Sequence, residues 1–360
     1  MRSSLAAGMS GHAGSGELPR RVVLALGGNA LIRRGERGEF AQQWTNVELA
    51  ADAIFKLSRL VSEVVVTHGN GPQVGFLALQ AEAGMPAVPA PTFDILGAET
   101  QGQIGYMLSQ ALRNRLQAAS MERDIAVVLT QVTVDPADPA FVHPTKPVGP
   151  VYSAEEAVRL RTERGWSVAP DHQYWRRVVP SPRPRRIVEA APIRRLVDQG
   201  TIVIASGGGG IPVVEQSDHR LRGIEAVIDK DLAAVLLAAT VGADGLILLT
   251  DVDGVYHDWG GPSSRRLPSL TPVEAEALLA GGTLPAGSMG PKVAACAQFV
   301  RAGGKLAAIG ALDDIEGILT GRAGTRVTEG TAPNFAGSRE ARTWEERPRT
   351  AVLSERGAAD

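Results

Sequence analysis

An α/β fold with a mainly parallel sheet, covered by helices on both faces, is predicted by three features of this 360-residue chain. Short apolar runs such as 21–26 alternate with longer helical stretches such as 42–60. Glycine clusters follow several of the apolar runs. The chain has 41 glycines but aromatic residues make up only 4%, which suits tight strand–helix turns better than an all-β domain.

The individual elements follow from apolar patterning and from breaker residues. The predicted strands are 21–26, 63–67, 125–132, 201–205, 245–250 and 305–309. The predicted helices are 42–60, one that begins at Pro72, 97–116, 187–198, 231–241, 271–280 and 291–302. The regular alternation of the two types predicts strand–helix–strand units and therefore parallel pairing.

The α/β pattern is interrupted once, over residues 135–184. This stretch contains nine prolines and only a short helical segment, 154–162. It is too long for a simple loop, so we expect a small inserted subdomain that could act as a lid on a domain spanning 21–327. Residues 1–20 have no apolar signal core and are predicted to be a flexible extension. Residues 328–360 lack an apolar face and are predicted to be disordered.

Composition argues against several classes of partner. A formal net charge of −2 gives no general attraction to nucleic acid or to an anionic membrane, and no apolar run reaches the length of a membrane span. The single cysteine, Cys296, cannot form a disulfide within the chain, which fits a cytoplasmic protein. His68 and His143 are not spaced as a metal pair, and we expect no protein-built metal site.

Three glycine clusters, 27–29, 69–71 and 207–210, follow predicted strands. In an open parallel sheet, ligands bind beyond the carboxyl ends of the strands. Glycine lets backbone N–H groups approach an anion closely, and a following helix N-terminus adds partial positive charge. Each cluster alone is equally consistent with an ordinary turn. Three together favour an anion site, although the P-loop and dinucleotide-binding patterns are missing from the sequence.

Three lysines are placed to add charge to such a site. Lys146 lies in a proline-rich segment, 144–150, whose backbone is restricted to extended conformations. Lys230 lies between two aspartates at a helix start, and Asp231 could hold lysines in position. Lys292 follows Gly290 and a proline at the start of another helix. Each could also be an ordinary surface lysine. Cys296 falls on the expected buried face of that last helix and is interpreted as core.

The segment after the strand 245–250 could contact a nucleotide. Asp251 or Asp253 could accept hydrogen bonds, and Tyr256 could pack beside a base. The Asp253–Gly254 pair is also a plain turn signal. Its likeness to a calcium-binding loop is weak because the required glutamate position is Gly260.

Taken together, the chain resembles the carbamate kinase branch of the amino-acid kinase family. The matching segments, in family order, are ALGGNAL (25–31), HGNGPQVG (68–75), ETQGQIGY (99–106), PTKPVGP (144–150), WRRVVPSP (175–182), GGGGIPV (207–213), IDKDL (228–232), LTDVD (249–253) and GSMGPKV (287–293). The wider family usually has a lysine where this chain has Ala25. The carbamate kinase branch is similar in lacking it, and it uses a lysine from the inserted subdomain, which matches Lys146.

The resemblance implies an open, mainly parallel αβα sandwich with a small protruding subdomain, usually in a homodimer. It implies a cytoplasmic enzyme of arginine metabolism that uses ATP/ADP with Mg²⁺. The reaction would be reversible phosphoryl transfer between ATP and carbamate, giving carbamoyl phosphate and ADP, and would run toward ATP synthesis. Two alternatives stay open: a related kinase of another small carboxylate or phosphate, and a nucleotide-binding regulator without activity. The three lysines argue against the second.

The resemblance also implies roles for individual residues. The transferring phosphoryl group would be surrounded by Gly27, Gly28, Asn29, Gly69, Asn70 and Gly71, with Gly208 and Gly209 near the carbamate. The catalytic residues would be Lys146, Lys230, Lys292 and the orienting Asp231. The nucleoside would contact Asp251, Val252, Tyr256, Met289 and Gly290.

Overall fold

A computed structural model describes residues 18–28, 31–32, 36, 38–171, 173–284 and 288–330 of the chain. The predicted N-terminal extension and C-terminal tail lie largely outside these residues, as does Asn29. Both tail predictions therefore stay predictions.

The strands occupy the predicted apolar runs and add several short pairs. They are, in chain order, β1 (Arg21–Leu26), β2 (Glu63–His68), β3 (Ile125–Val128), β4 (Gln131–Val134), β5 (Lys146–Tyr152), β6 (Val168–Asp171), β7 (Tyr174–Val179), β8 (Pro184–Ile187), β9 (Ile202–Ala205), β10 (Ile211–Glu215), β11 (Leu221–Gly223), β12 (Gly245–Thr250), β13 (Val255–His257), β14 (Arg265–Leu267), β15 (Ser269–Leu270), β16 (Leu306–Ala311) and β17 (Thr325–Val327).

The α-helices connect these strands. They are α1 (Phe40–Leu60), α2 (Gly71–Ala83), α3 (Phe93–Ala118), α4 (Ala154–Arg164), α5 (Ala190–Asp198), α6 (Lys230–Val241), α7 (Pro272–Ala280), α8 (Met289–Arg301) and α9 (Ile315–Thr320).

The main sheet has eight strands in the order β15-β17-β16-β12-β1-β2-β9-β3. Neighbouring strands pair in parallel except β16 and β17, which are antiparallel. The prediction of a mainly parallel sheet is therefore confirmed. Parallel pairing puts the carboxyl ends of β1, β2 and β9 at one edge, where the three glycine clusters follow.

Helices cover both faces of this sheet, because its central strands are apolar on both sides. Along β1, Val23 and Ala25 pack in one core with residues of α5, α6, α7 and α8. Val22 and Leu24 pack in the opposite core with residues of α1, α3 and α9. The αβα arrangement is therefore confirmed. Cys296 lies in the first core and is fully buried, as expected of a packing residue.

Three predicted elements were wrong in extent by three residues or more. The helix predicted as 97–116 is longer at both ends and is α3, Phe93–Ala118. The predicted strand 125–132 is two strands, β3 and β4, which belong to different sheets. The break falls at Thr130, whose hydroxyl donates to Val128 O at 2.7 Å and accepts from Ser206 N at 2.9 Å, so this side chain turns the chain. The predicted helix 187–198 begins only at Ala190, because Ile187 pairs in β8 with Val132.

The region predicted to be a lid contains its own antiparallel sheet, β5-β7-β6, together with α4. We call this sheet the lid sheet. Its strand β5 packs against α2 so closely that a Cβ on Gly75 would lie 2.4 Å from Cα of Gly149. A separate sheet, β11-β10-β4-β8, follows the break at Thr130. The close approach of β5 to α2 brings the beginning of β5 toward the edge of the main sheet.

Candidate active site

A cleft of about 260 Å³ lies at the carboxyl ends of β1, β2 and β9. Each of the three glycine clusters contributes to its wall. The lining residues are Gly28, Gly69, Asn70, Gly71, Pro72, Lys146, Pro147, Val148, Arg176, Gly208, Val227, Ile228, Asp229, Lys230, Asp231, Ser288, Pro291 and Lys292. The three lysines singled out from the sequence, which lie far apart in the chain, therefore converge on one cavity.

Three helices begin at this cleft: α2 at Gly71, α6 at Lys230 and α8 at Met289. In the described structure, neither Asn70 nor Ser288 caps its helix with its side chain. The Asn70 side chain instead donates from Nδ2 to Thr100 Oγ1 at 2.8 Å. First-turn N–H groups and the positive ends of the helix dipoles are thus available to an anion.

Lys146 reaches the cleft from the first position of β5. Its neighbour in the lid sheet is Val179 of β7. The Lys146 Nζ donates to Asp229 Oδ2 at 2.6 Å, and 30% of the lysine side chain is exposed. The lid sheet therefore supplies a positive charge to a cavity built by the main sheet.

Lys230 is held at the base of the cleft. Its Nζ donates to Leu26 O, at the end of β1, at 2.8 Å and lies 3.6 Å from Asp231 Oδ1. The pKa of Lys230 is lowered to about 8, mainly by burial and also by the nearby charges of Lys292 and Lys146, while Asp231 and Asp229 oppose the shift. A bound phosphate would add a negative charge beside Lys230 and so stabilise its charged form.

Asp231 and Lys292 form a buried pair beside Lys230. Asp231 is 3% exposed, and its Oδ2 lies 3.2 Å from Lys292 Nζ. The same Nζ also donates to Ser288 O at 3.3 Å. One carboxylate therefore lies between two lysines of the cleft, in the orienting position expected from the sequence.

A second cavity of about 140 Å³ adjoins the cleft and shares Ser288 with it. Its lining residues are Thr250, Asp251, Val252, Gly254, Tyr256, Trp259, Leu284, Ser288 and Met289. The rings of Tyr256 and Trp259 meet edge to face, with centroids 4.8 Å apart. A cavity with an aromatic wall beside a cationic cleft has the layout of a nucleotide site, with the base at one end and the phosphates at the other.

The model of the amino acid kinase family matches residues 20–310 of the chain. The chain belongs to the amino acid kinase family. This result accounts for the parallel αβα sandwich and for glycine-rich turns at a single edge of its sheet. It also makes the chain a member of a family of phosphotransferases.

Relatives of this amino acid kinase confirm the resemblance to carbamate kinases. It is 48% identical over 314 residues to a carbamate kinase of Pyrococcus horikoshii, covering 86% of this chain and 100% of that protein. It is 50% identical over 311 residues to a carbamate kinase of Haemophilus influenzae, covering 86% and 97%. A solved structure, carbamate kinase from Giardia lamblia bound to AMP-PNP, is 42% identical with a TM-score of 0.79, covering 86% and 98%.

Some predicted site residues of this amino acid kinase do not line the two cavities. Among the described residues, Gly27, Gly209 and Gly290 do not line either cavity. The Gly27 N–H donates to Leu249 O at 3.0 Å, so it is engaged in the fold. A Cβ on Gly209 would lie 2.5 Å from Ile228 O, which explains the glycine by packing. Their roles in binding stay predictions, as does that of Asn29, which lies outside the described residues.

Several lining residues were not singled out from the sequence, and three of them carry charged or aromatic side chains. Arg176 of β7 lines the cleft and donates from Nη2 to Gly149 O at 2.6 Å. Asp229 is one of the two aspartates that flank Lys230 in the sequence, but nothing in the pattern indicates its pairing with Lys146. Trp259 stands three residues after Tyr256, and the spacing of the two aromatics in one loop was the available signal.

His68 of the amino acid kinase is a packing residue and not an acid or base at neutral pH. It is 1% exposed, and burial lowers its pKa to about 4, although a hydrogen bond with Gly69 O opposes the shift and Lys230 adds to it. A Cβ on Gly207 would lie 2.3 Å from His68 Nε2. The neutral ring thus packs against the third glycine cluster and requires a glycine there.

The pKa of Lys230 predicts a pH dependence of this kinase. The charged form predominates below pH 8, so we expect kcat/KM for the phosphoryl donor to be nearly constant near pH 7, to be about halved near pH 8 and to fall about tenfold per unit well above it. Phosphate groups have second pKa values near about 6 and do not interfere in this range. The measurement is an initial-rate pH profile, and a flat profile to pH 10 would contradict the assignment.

Replacing Tyr256 by Ala is expected to weaken nucleotide binding. The substitution removes one wall of the 140 Å³ cavity and leaves Trp259 without its ring partner. Losing a stacking aromatic typically costs about 1–3 kcal/mol, which corresponds to a rise of about 5- to 150-fold in the KM for ADP. The variant Tyr256→Phe, which keeps the ring and loses the hydrogen bond to Asp253 Oδ1, is the matched control. Equal KM values in wild type and Tyr256→Ala would contradict the nucleoside assignment.

Proposed function

We propose that the protein is a carbamate kinase, which catalyses reversible phosphoryl transfer between ATP and carbamate to give carbamoyl phosphate and ADP. The observation that carries the proposal is the convergence of Lys146, Lys230 and Lys292 on a single cleft beside a cavity with an aromatic wall. The curated relatives at 48–50% identity are carbamate kinases, which supports the choice of substrate within the family.

The reaction brings two anions together, so charge neutralisation is the main task of the protein. A carboxylate oxygen of carbamate attacks the γ-phosphorus of ATP, the bond from that phosphorus to the β–γ bridging oxygen breaks, and ADP leaves. Lys230 and Lys292 neutralise charge from the side of the main sheet, and Lys146 does so from the lid sheet. Fixed donors of this kind are commonly worth about 3–4 kcal/mol each in transition-state stabilisation.

The two cavities set the direction in which the nucleotide lies. The nucleoside occupies the cavity lined by Tyr256 and Met289, and the phosphates pass Ser288, which borders both cavities, toward Lys292. The transferring group then meets the N-termini of α2 and α6 at Gly71 and Lys230. Holding the two reactants in line makes the transfer an effectively unimolecular step within the enzyme complex, and this lowers the barrier substantially.

The oxygen donors of the cleft fit a magnesium ion carried on the nucleotide phosphates. Mg²⁺ usually keeps several waters and binds through one or two carboxylates together with phosphate oxygens. Across the described residues, no group of three or more His, Cys, Asp or Glu side chains could hold a metal ion. Asp231, whose Oδ1 accepts no hydrogen bond from the described residues, is the carboxylate with a spare acceptor for the ion or its water shell. When bound, the ion supplies positive charge to the phosphate oxygens.

The remaining parts of the proposal concern the setting of the enzyme. It acts in the cytoplasm in arginine metabolism, runs toward ATP synthesis and forms a homodimer. None of the described helices has the length and apolar character of a membrane span. Support for the homodimer comes from the edge strand β3. Val127 of this strand, Leu129 just after it and Tyr106 of the neighbouring α3 expose apolar surface there.

The decisive test is ATP formation from carbamoyl phosphate and ADP, followed through a coupled hexokinase assay with Mg²⁺. We expect saturable ATP formation that far exceeds the rate with acetyl phosphate as donor. Activity with another small acyl phosphate in place of carbamoyl phosphate would assign the protein to a related kinase. Binding of ADP without turnover of any acyl phosphate would indicate the inactive nucleotide-binding regulator and overturn the proposal.

A further inference from the structure

The carboxylate of Asp229 makes two contacts that join separate parts of the fold. Its Oδ1 accepts from Asp231 N at 2.9 Å and from Leu232 N at 3.3 Å, so it caps the first turn of α6. Its Oδ2 accepts from Lys146 Nζ at 2.6 Å, across 83 residues of sequence. One side chain is therefore bonded to the core helix that carries Lys230 and to the lysine of the lid sheet.

Contacts with neighbouring elements fix the backbone of β5, but the direction of the Lys146 side chain depends on a partner group. The strand register of β5 against β7 shifts between Val148 and Val151. In that shift, Gly149 packs against Gly75 of α2 and its carbonyl accepts from Arg176. These contacts fix the strand, whereas a lysine has a flexible four-carbon stem. Among the described residues, Asp229 is the carboxylate that forms an ion pair with Lys146.

Pairing with Asp229 leaves Lys146 able to bind phosphate. A lysine ammonium has three N–H donors, and one is used by Asp229 Oδ2. The others remain for an anion in the cleft that both residues line. Burial opposes ionisation of Asp229, but the Lys146 charge and the N–H groups of Leu232 and Asp231 outweigh it and lower the pKa of the carboxyl. The partner of Lys146 therefore stays charged at neutral pH.

We propose that Asp229 is a positioning residue that aims Lys146 at the transferring phosphoryl group and couples the lid sheet to the N-terminus of α6. The inference rests on the function proposed above, because it assigns Asp229 a part in the same reaction. Asp229 contacts both Lys146 and the first turn of α6, which carries Lys230. This contact holds the positive charge of the lid sheet and that of α6 on the same phosphoryl group.

The test is Asp229→Asn in the full chain, assayed with carbamoyl phosphate and ADP. Asparagine keeps an acceptor for the α6 cap, since Asn and Asp are equally good at that position, but it removes the charge that holds Lys146. We expect kcat to fall about 10- to 100-fold, the size of effect that follows from misplacing a reacting group by about 1 Å. The KM for ADP should change less than about twofold, because the nucleoside cavity is untouched.

A matched control is Asp314→Asn, which makes the same chemical change at the N-cap of α9, where Asp314 accepts from Gly317 N. This variant should keep wild-type kcat. If it loses activity to the same extent as Asp229→Asn, the effect belongs to capping in general and the inference is overturned.

A double-mutant cycle separates positioning from a merely structural role. In a Lys146→Ala background, Asp229→Asn should have less than about a twofold further effect on kcat, because its target is gone. Full additivity of the two losses would overturn the inference, as would wild-type kcat in the single Asp229→Asn variant. A wild-type protein that forms no ATP from carbamoyl phosphate would instead overturn the proposed function, so the two failures are distinguishable.

Discussion

Replacing Lys230 by Ala is expected to lower kcat for ATP formation by about 10²–10³-fold, the loss seen when one fixed donor to a developing charge is removed. Lys230 is largely buried and faces the cleft from the first turn of α6, so no bulk solvent can take over its role at low energetic cost. The measurement is the initial rate with saturating carbamoyl phosphate and ADP. Rates within about threefold of wild type would show that the lysine does not contact the transferring group.

The same substitution should affect the stability of the fold little, because Asp231 keeps Lys292 as its partner when Lys230 is removed. Burial lowers the pKa of Lys230 to about 8, so the charged ammonium is less favourable in the folded protein than in the unfolded chain. The folded state binds fewer protons than the unfolded state between about pH 8 and the ordinary lysine pKa, so stability from this group rises with pH across that window. We expect a thermal midpoint no lower than that of wild type. Lys305→Ala, which removes an exposed lysine paired with Asp244, is the control for activity.

Replacing Asp231 by Asn is expected to give the largest loss of stability, together with a loss of activity. Asp231 is 3% exposed and lies beside both Lys230 and Lys292. Removing one partner of a buried ion pair leaves an uncompensated charge and typically costs about 3–5 kcal/mol. We also expect kcat to fall about 100-fold, because two lysines lose the group that orients them. Urea unfolding gives the stability change, and the coupled assay gives kcat.

The control for Asp231→Asn is Asp218→Asn, which breaks a pair with Arg220 at the surface. An exposed pair is worth less than about 1 kcal/mol, so this control should unfold close to wild type and keep full activity. Equal unfolding midpoints for Asp231→Asn and wild type would show that the buried cluster is not held together by that carboxylate.

The main sheet could be predicted from the sequence because its strands are short and apolar, and because glycine clusters follow β1, β2 and β9. The run Arg21–Leu26 and the run Gly245–Thr250 have the bounds expected from the pattern. The strand at 125–132 was predicted wrongly because its apolar character continues past Thr130, while hydrogen bonds from distant residues decide where the chain turns. Strand order was also beyond sequence reasoning, since pairings such as β1 with β12 join segments far apart in the chain.

The candidate site was predictable in its charged and glycine residues but not in their pairing. Lys146, Lys230 and Lys292 stand out because proline, aspartate and glycine neighbours mark them in the sequence. The contact of Lys146 depends on how the lid sheet lies against α2, and a pattern along the chain carries no information about that packing. The hydrogen bond that Asp229 accepts from Lys146 therefore could not be predicted.

The most direct test of the central claim is a crystal structure of the protein with ADP and a phosphoryl-transfer analogue. The account predicts the base beside Tyr256, and the analogue in the cleft with Nζ of Lys146, Lys230 and Lys292 within about 3 Å of its oxygens. A structure in which the analogue binds elsewhere, or in which these lysines contact different ligands in different cavities, would contradict it.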